Sequence, residues 1–327
     1  MREAKYYHKE EAGEVKCLLC PQGCRLVSGE KGKCLVRENQ GGTLYALTYG
    51  KVAAIQMDPI EKKPLYHFYP GQQILSLGAI GCNLSCQFCQ NYHLVEGKVP
   101  MDSLTPEQAV RLARDNNSVG IAYTYNEPLI QFEYVLDTAK MLKEEGLNNV
   151  LVTNGLINPK PLEELLPFID AMNIDLKSIR EEFYQELCGG FRDPVLKNIE
   201  RSNKVCHIEL TNLLVTETND SIEELRDLVD YVASLDQDIP VHFSRYSPQY
   251  KMSKPPTPVE KLMEAYKLAR ERLNYVYLGN LWTEEGSNTY CPKCKSLLIR
   301  RQGYSTSIID LKGKCCQECG QEVRIIN

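Results

Sequence analysis

The sequence predicts an α/β fold, and three observations support this prediction. Apolar, strand-like stretches alternate with amphipathic helical stretches from Ile74 to about Leu281. Polar clusters follow the ends of the candidate strands, and short cysteine-rich segments flank the repeating region. Repeated βα units build a parallel sheet with right-handed crossovers. Six such units in about 200 residues fit a partial (β/α)6 TIM-like barrel better than a closed eight-fold one. We therefore predict this barrel, with a small Cys-rich N-terminal addition and a zinc-ribbon-like C-terminal addition.

Local patterns place the individual elements. Thr105-Pro106-Glu107 combines a cap residue, a proline at the first helical position and an acid in the first turn, which is typical of a helix start. A turn at Gly50 separates two earlier candidate strands, 44–49 and 51–57. The candidate strands of the repeat are 74–80, 119–125, 149–153, 170–175, 206–215, 240–246 and 275–278. The other helical patterns are 128–145, 159–166, 194–204, 222–235 and 259–273.

These boundaries divide the chain into three predicted domains. Residues 1–73 form a Cys-rich N-terminal β segment, residues 74–285 form the barrel, and residues 286–327 form a ribbon with four cysteines. A short tail of this kind needs a staple, because it cannot build a core of its own.

Composition limits the classes of function. The 327 residues are 43% hydrophobic, which suits one large domain with additions. A net charge of −5 and the lack of a long basic block disfavour a nucleic-acid partner. No stretch reaches the ~18 apolar residues of a membrane helix, and the charged start, Met1 to Lys5, resembles no signal or transit peptide. We therefore predict a cytoplasmic protein without a membrane partner, in which 14 cysteines serve mainly as metal ligands.

The central motif is the loop that carries Cys82, Cys86 and Cys89 with the spacing C-x3-C-x2-C. It directly follows the apolar stretch 74–80, which predicts a buried strand. Cysteine thiolates are the usual ligands of iron–sulfur clusters, and three local ligands would leave one iron open to a small molecule. The alternative is a zinc knuckle or a redox thiol group.

Two further groups of four cysteines are candidate metal sites. Cys17, Cys20, Cys24 and Cys34 share one glycine-punctuated segment, and either structural zinc or an auxiliary iron–sulfur cluster fits this set of soft ligands. The second group has the spacing C-x2-C-x21-C-x2-C, a pattern typical of a zinc ribbon, and an iron–sulfur cluster is the alternative. This second group consists of Cys291, Cys294, Cys316 and Cys319, with Cys315 as a spare.

The remaining candidates are polar or aromatic. Buried small hydrophobic positions are the favoured interpretation of Cys188 and Cys206. The segment 62–71 holds three aromatics and His67, which either cover the cluster or contact substrate, or pack over an end of the barrel. Carboxyl ends of parallel strands carry the chemistry in such folds. The candidates found there are Asn126, Glu127, Asn154, Asp175, Lys177, His242 and Arg245.

These motifs resemble the glycyl-radical-enzyme activating branch of the radical S-adenosylmethionine (radical SAM) superfamily. The resemblance covers about residues 74 to 250 and rests on the cysteine loop with Phe88, on Thr153-Asn154-Gly155 and on Asp175-Leu176-Lys177. It implies a 4Fe-4S cluster on Cys82, Cys86 and Cys89 that cleaves SAM to a 5′-deoxyadenosyl radical. It also implies a flavodoxin- or ferredoxin-type electron donor.

The resemblance further implies roles for the polar candidates. Asn126-Glu127-Pro128 occupies the place of a Gly-Gly-Glu turn that binds the methionine amino group, and Asp175 and Lys177 contact the ribose hydroxyls and the methionine carboxylate. Two positions depart from the activating enzymes. Val152 stands where they carry an acid, and Ser247 follows Tyr246 where they carry a histidine. His242 or Arg245 is the candidate to compensate.

A resemblance over nearly the full length is to the AmmeMemoRadiSam-system radical SAM enzymes. It rests on the N-terminal cysteines, on 63–71, on 123–128 and on the C-terminal ribbon. It implies AMMECR1-like and Memo-like companion proteins and an unidentified substrate. A glycyl-radical-enzyme activase is the alternative function, and a non-catalytic metal-binding scaffold is a third that leaves the SAM-like motifs unexplained.

Overall fold

A computed structural model describes residues 1–281 and 283–327 of the chain. Its strands are β1 (Arg2–Glu3), β2 (Tyr7–Lys9), β3 (Val15–Cys17), β4 (Arg25–Leu26), β5 (Arg37–Gln40), β6 (Thr43–Ala46), β7 (Lys51–Val52), β8 (Ala54–Pro59), β9 (Gln73–Gly78), β10 (Asp102–Ser103), β11 (Gly120–Tyr123), β12 (Asn148–Thr153), β13 (Ala171–Asp175), β14 (His207–Leu214), β15 (Val241–Arg245), β16 (Val276–Gly279), β17 (Thr289–Tyr290), β18 (Leu297–Gln302), β19 (Ser305–Ile308), β20 (Leu311–Lys312) and β21 (Cys315–Cys316).

The helices alternate with the strands in the middle of the chain. They are α1 (Tyr92–Val95), α2 (Pro106–Asp115), α3 (Phe132–Glu144), α4 (Pro159–Leu165), α5 (Glu181–Phe183), α6 (Arg192–Asn203), α7 (Ile222–Leu235) and α8 (Val259–Arg270). Short 3-10 turns cover Glu11–Gly13, Ile60–Lys62, Pro128–Gln131 and Leu166–Phe168, and a π-helical turn covers Tyr184–Cys188. The predicted start of α2 is confirmed, since Thr105 and Gln108 form a complete capping box. Within the described residues, no helix is both long and apolar enough to span a bilayer.

One eight-stranded sheet organises the molecule, in the order β16-β15-β14-β13-β12-β11-β9-β8. The neighbours from β9 to β16 are parallel, and β8 runs antiparallel to β9 at the edge. The chain therefore has the predicted mixed α/β fold, with seven parallel strands where we expected about six units. Hydrogen bonds join no residue of β8 to β16 in the described part of the chain, so the sheet has two free edges.

The segment after β8 fills the amino ends of the parallel strands. Leu65 and Phe68 pack with Ile74, Val150 and Ala171 in one buried cluster. Tyr69 donates its backbone N–H to the carbonyl of residue 326, so the end of the described chain lies on the same cluster. Of the two interpretations of this segment, packing over one end of the parallel strands matches these contacts.

The N-terminal 52 residues form two small antiparallel sheets, β1-β6-β5 and β2-β3-β4, and strand β7, which pairs with β10. Gly50 adopts φ 69°, as the predicted turn requires. The guanidinium of Arg37 binds both carboxylate oxygens of Glu133 on α3, at 2.8 and 2.6 Å, and both side chains are almost fully buried. This ion pair joins the N-terminal sheet β1-β6-β5 to helix α3.

Candidate active site

The cysteine loop follows β9 and depends on a glycine. Gly81 has φ 86°, and a Cβ on it would lie 2.2 Å from the backbone oxygen of Cys34. Only glycine permits both the turn and this approach. Backbone N–H groups of Ser85 and Gln87 then donate to the carbonyls of Cys188 and Leu187, at 2.8 and 2.9 Å. The loop is therefore held between the N-terminal segment and the π-helical turn.

The environment of the loop thiols differs from one to the next. Cys188 is fully buried, as predicted, and it also contacts the loop. A hydrogen bond from its thiol lowers the pKa of Cys86. Burial raises the pKa of Cys82, and the nearby Glu127 carboxylate adds to this effect. Three thiols on one rigid loop form a soft-ligand set that fits an iron–sulfur cluster.

Asn126 holds the junction between β9 and the loop. Its side-chain oxygen accepts a hydrogen bond of 2.9 Å from the Ala79 N–H, and its amide nitrogen donates to the carbonyls of Ile80 and Gly81 at 3.1 and 3.2 Å. The buried side chain thus fixes the path by which the chain enters the cysteine loop.

Glu127 joins the carboxyl ends of β11 and β12. One carboxylate oxygen accepts from Leu129 N–H and Thr153 Oγ1, at 2.9 and 2.6 Å, and the other accepts from Asn154 N–H at 2.8 Å. Burial raises the pKa of this carboxyl to about 7, although these hydrogen bonds oppose the shift. The carboxylate lies next to Cys82 and is already held by three donors.

Asn154 contacts the loop directly. Its amide nitrogen lies 3.5 Å from Cys82 Sγ and 2.9 Å from Asn83 Oδ1. Asn83 in turn donates to the carbonyl of Leu156 at 2.6 Å. The two buried amides therefore tie the end of β12 to the first cysteine of the loop.

A charged pair lies on the other side of the loop, at the end of β13. Lys177 Nζ is 3.0 Å from Asp175 Oδ2 and 6.0 Å from the centre of the Phe88 ring. Burial lowers the pKa of Lys177, but Asp175 and the Cys86 sulfur outweigh this and hold it well above its usual value. Phe88 packs against Phe183 with ring centres 5.6 Å apart. Lys177 is thus a fixed cation beside the cysteine loop, and Asp175 is a partly exposed acceptor.

The last two sequence candidates lie on β15 and have different surroundings. Arg245 ends the strand and donates from Nε to the carbonyl of Thr257 at 2.8 Å. His242 is buried, with Nε2 2.6 Å from Glu209 Oε2 and its ring edge-on to Tyr66. The contacts of both side chains are with residues outside the cysteine loop.

Glu209 is a buried centre that our sequence analysis did not single out. It accepts hydrogen bonds from the rings of His207 and His242 at 3.0 and 2.6 Å, and from the backbone N–H groups of Tyr66 and His67 at 3.0 and 2.7 Å. Burial raises its pKa, but the two histidines hold it well below the usual range. In the sequence, Glu209 could have been recognised only from the alternation of polar residues with Ile208 and Leu210 along this strand.

Lys63 was also missed as an individual residue. It is almost fully buried, donates to Asp58 at 2.6 Å and lies 4.5 Å from the ring centre of Tyr125, which also donates to Asp58. Burial lowers the pKa of Lys63 to about 8, although Asp58 opposes this. The two sequence motifs 63–71 and 123–128 therefore meet at this lysine.

A cavity of about 770 Å³ lies beside the carboxyl ends of β15 and β16, and its lining includes Glu61 and Lys62, which follow β8. Ser244 and Gly279, near the carboxyl ends of β15 and β16, form one wall, and the ribbon residue Arg301 forms part of another. Arg301 Nε and Glu61 Oε2 are buried polar atoms of cavity residues and have no hydrogen-bond partner among the described residues, although Arg301 Nε lies 3.7 Å from Glu61 Oε1 in a buried ion pair. Polar atoms without partners are suited to bind a polar group.

The two terminal cysteine groups differ in geometry. In the ribbon, Cys291 Sγ lies 3.6 Å from Cys319 Sγ, and Cys294 Sγ lies 3.6 Å from Cys316 Sγ. All four ribbon sulfurs are within 4.8 Å of one another, and Cys315 is exposed and outside the group. The other four cysteines line one small cavity in the N-terminal segment. These four are Cys17, Cys20, Cys24 and Cys34.

Comparison with known proteins agrees with this site. The sequence profile of the radical SAM superfamily matches residues 78–232. Over 335 aligned positions the chain is 43% identical to the uncharacterized protein MJ0808 of Methanocaldococcus jannaschii, with all of both chains covered. It is also 28% identical to the pyruvate formate-lyase-activating enzyme of Clostridium pasteurianum, over 47% of this chain and 67% of that one. The corresponding activating enzyme of Escherichia coli K12 is 30% identical over 33% of this chain and 47% of its own.

A solved structure shows the same likeness in fold. Streptococcus suis SuiB bound to S-adenosylmethionine superimposes with a TM-score of 0.52 and 19% identity, over 67% of this chain and 55% of that one. The superfamily profile and the related activating enzymes define an enzyme of the radical SAM class. The chain belongs to the radical SAM superfamily, and its relatives include activating enzymes of glycyl-radical enzymes.

Proposed function

We propose that this enzyme cleaves SAM reductively on a 4Fe-4S cluster held by Cys82, Cys86 and Cys89. When bound, such a cluster supplies one electron to the sulfonium of SAM, which yields methionine and a 5′-deoxyadenosyl radical that abstracts hydrogen from a substrate. The observation that carries the proposal is the set of three thiols on one loop, with the Asp175–Lys177 pair and Asn154 directly beside it. The residues of this chain would bind and orient SAM and the substrate, and they would keep water out of the site.

The polar residues around the loop would position SAM. Lys177 is a cation suited to the methionine carboxylate, and the partly exposed Asp175 is an acceptor suited to the ribose hydroxyls. The turn of Asn126 and Glu127 would present acceptors to the methionine ammonium, and Phe88 would support Lys177. His242 and Arg245 are hydrogen-bonded to Glu209 and Thr257, so we propose only indirect roles for them. His242 would form part of the cavity wall, and Arg245 would fix the end of β15.

We further propose that the central sheet is a partial barrel, which opens laterally between β8 and β16. The domains would then be 1–73, 74–285 and 286–327. The cavity at this opening is our candidate for the substrate site, because the buried Glu61–Arg301 ion pair in its wall leaves Glu61 Oε2 and Arg301 Nε without a hydrogen bond. A substrate with a polar group that both accepts and donates hydrogen bonds fits this wall.

A glycyl-radical-enzyme activase is the second candidate function. The sequence likeness to the activating enzymes of Clostridium pasteurianum and Escherichia coli supports it. Val152 and Ser247, which replace an acid and a histidine of that branch, count against a standard activase. The substrate would then be a glycine in a partner protein.

We propose zinc for the ribbon. Sulfurs bonded to one tetrahedral zinc at about 2.3 Å lie roughly 3.8 Å apart, which is close to the two contacts of 3.6 Å. The partners we propose are a flavodoxin- or ferredoxin-type donor and, from the AmmeMemoRadiSam resemblance, AMMECR1-like and Memo-like proteins. We expect the enzyme to work in the cytoplasm.

The test is the production of 5′-deoxyadenosine by protein purified without oxygen and reconstituted with iron and sulfide. With dithionite and SAM, the wild type should release 5′-deoxyadenosine, and Cys86→Ala should release none. The matched control is Cys206→Ala, since Cys206 is a half-buried thiol that contacts the Ser202 carbonyl and not the loop. A wild-type protein that carries the cluster and releases no 5′-deoxyadenosine would contradict the proposal.

A further inference from the structure

We propose that Cys17, Cys20, Cys24 and Cys34 hold a second 4Fe-4S cluster, which relays one electron to the cysteine loop of Cys82, Cys86 and Cys89. The relay part of this inference rests on the proposed function, whereas the metal site itself does not. Three observations carry it: the spread of the four sulfurs, the enclosed space between them and their contacts with the loop.

The spread of the sulfurs argues against zinc. Among the residues that the structure describes, only the ribbon cysteines have their sulfurs all within 4.8 Å of one another, so no three of the N-terminal sulfurs meet this limit. No sulfur–sulfur hydrogen bond joins any two of these four thiols, although two such contacts occur in the ribbon. The sulfurs bound to one zinc lie roughly 3.8 Å apart. In a two-iron cluster each iron binds two cysteine thiolates, and the sulfurs of such a pair lie about equally close. A four-iron cluster gives each cysteine a separate iron, which fits a wider set.

The four cysteines surround one space. Together they line a single small cavity, whose other lining residues include Gly23, Gly32, Ile130 and the buried cation Arg37. Gly32 lies close to the sulfur of Cys24, since a Cβ on this glycine would be 3.6 Å from Cys24 Sγ. The backbone N–H of Lys33 donates to the same sulfur at 3.5 Å. Backbone hydrogen bonds to cysteine sulfur stabilise the thiolate that an iron–sulfur cluster requires.

The same segment lies directly against the cysteine loop. Asn83, the neighbour of Cys82, lines the cavity of the four cysteines together with Cys20. Its side chain also accepts a hydrogen bond from Asn154, which is 3.5 Å from Cys82 Sγ. Gln22 donates to the Asn83 carbonyl at 2.8 Å, and the Cys34 carbonyl lies against Gly81. Three side-chain amides and the Cys34 carbonyl thus join the N-terminal segment to the cysteine loop.

The redox step is balanced by one external donor. A reduced flavodoxin- or ferredoxin-type protein gives one electron to the second cluster, and reoxidation of that cluster delivers the same electron to the loop. No covalent bond of the protein forms or breaks, and no proton moves. The second cluster returns to its starting state after each transfer.

The experiment counts iron and zinc in the full chain after anaerobic purification and reconstitution. We compare the wild type with a double variant, Cys20→Ala/Cys24→Ala, and a triple variant, Cys82→Ala/Cys86→Ala/Cys89→Ala. We expect about eight irons and one zinc in the wild type, and about four irons and one zinc in each variant. The control Cys206→Ala should keep the wild-type count. Retention of the ribbon zinc and an unchanged far-ultraviolet circular dichroism spectrum show that a variant is folded.

Electron paramagnetic resonance of the reduced proteins separates the two sites. Adding SAM should change the signal of the double variant, which retains the loop, and leave that of the triple variant unchanged. For the relay, the ratio of the 5′-deoxyadenosine rate with reduced flavodoxin to the rate with dithionite should fall at least tenfold in the double variant. An unchanged ratio would overturn the relay.

The outcomes distinguish this inference from the proposed function. Four irons and two zincs in the wild type, or a triple variant without iron, overturn the second cluster and leave the proposed function standing. A triple variant with four irons, beside a wild type that makes no 5′-deoxyadenosine, supports the second cluster and contradicts the proposed function. If the double variant fails to fold, the triple variant alone decides whether the N-terminal cysteines carry iron.

Discussion

The side-chain amide of Asn154 lies 3.5 Å from the sulfur of Cys82, 72 residues earlier in the chain. Glu127 fixes this amide by accepting the backbone N–H of the same residue. A donor at a cysteine sulfur favours the more negative, reduced state of an iron–sulfur cluster. Asn154 would therefore raise the reduction potential of an iron–sulfur cluster bound to this loop.

We predict that Asn154→Ala lowers that potential by about 20 to 60 mV. This range corresponds to a hydrogen bond worth roughly 0.5–1.5 kcal/mol, at 59 mV per 1.4 kcal/mol for one electron. A potentiometric titration followed by electron paramagnetic resonance measures it. The control is Asn116→Ala, whose exposed amide contacts only the Leu112 carbonyl. A potential that stays within 10 mV, on the order of 0.2 kcal/mol, would show that the contact is only structural.

Lys177→Met should weaken SAM binding about 10- to 150-fold. The substitution keeps the length of the side chain and removes the charge, and a hydrogen bond between charged groups is worth roughly 1.5–3 kcal/mol. Calorimetric titration of unreduced, cluster-loaded protein with SAM gives the Kd. Lys143→Met is the matched control, because Lys143 pairs with Asp170 just before β13 begins. An equal Kd for Lys177→Met and the wild type would remove Lys177 from the SAM site.

Arg37→Met should destabilise the protein by about 3–5 kcal/mol, because it leaves the Glu133 carboxylate buried and unpaired. The double variant Arg37→Met/Glu133→Leu should recover most of this loss, since both charges are then gone. The midpoint of urea unfolding measures the change. Lys261→Met tests an exposed ion pair with Glu264 and should cost less than about 1 kcal/mol. A double variant as unstable as the single one would argue that Arg37 acts through its other contacts.

His67 should make stability depend on pH. Burial lowers the pKa of His67 to about 3, although Glu209 opposes the shift. Nδ1 lies 2.7 Å from the Arg324 carbonyl, which can only accept, so the neutral ring carries its proton there and Nε2 accepts from Tyr277 Oη at 2.6 Å. The folded pKa is below the unfolded value near 6.5. The contribution to stability is therefore complete above pH 6.5 and is lost as the pH falls toward 3.

Lowering the pH from 7 to 5 should reduce the free energy of unfolding of the wild type by about 2 kcal/mol through His67 alone. His67→Gln should lose that part of the pH dependence, and His8→Gln, which alters an exposed histidine, should keep it. Urea unfolding at a series of pH values provides the comparison. Equal slopes for His67→Gln and the wild type would mean that His67 is not neutral in the folded state.

Local patterns were sufficient to predict the order of strands and helices. Alternating apolar stretches and a cap such as Thr105 act over a few residues, and each of the seven strands predicted from 74 to 278 overlaps a strand of the central sheet. The convergence of Asn154, Asp175 and Lys177 near one loop also follows from parallel strands, whose carboxyl ends meet at one edge.

The missed features depend on contacts between distant parts of the chain. Glu209 draws its donors from a segment about 140 residues earlier and from the next strand. Arg37 and Glu133 are 96 positions apart, and neither position shows a local pattern. The close approach of Cys34 to Gly81 is likewise a property of how two segments pack. The local sequence does not reveal such contacts, because they form only when the fold brings distant segments together.

The contact between residues 67–69 and residues 324–326 has a consequence for how the protein is made. His67 and its partner Arg324 are 257 positions apart, so the ribosome adds the second long after the first has emerged. Loop-closure entropy slows contacts of such separation. The side of this cluster that residues 324–326 cover therefore stays open until those residues have been synthesised, and during that time Phe68 and Tyr69 are more exposed to aggregation.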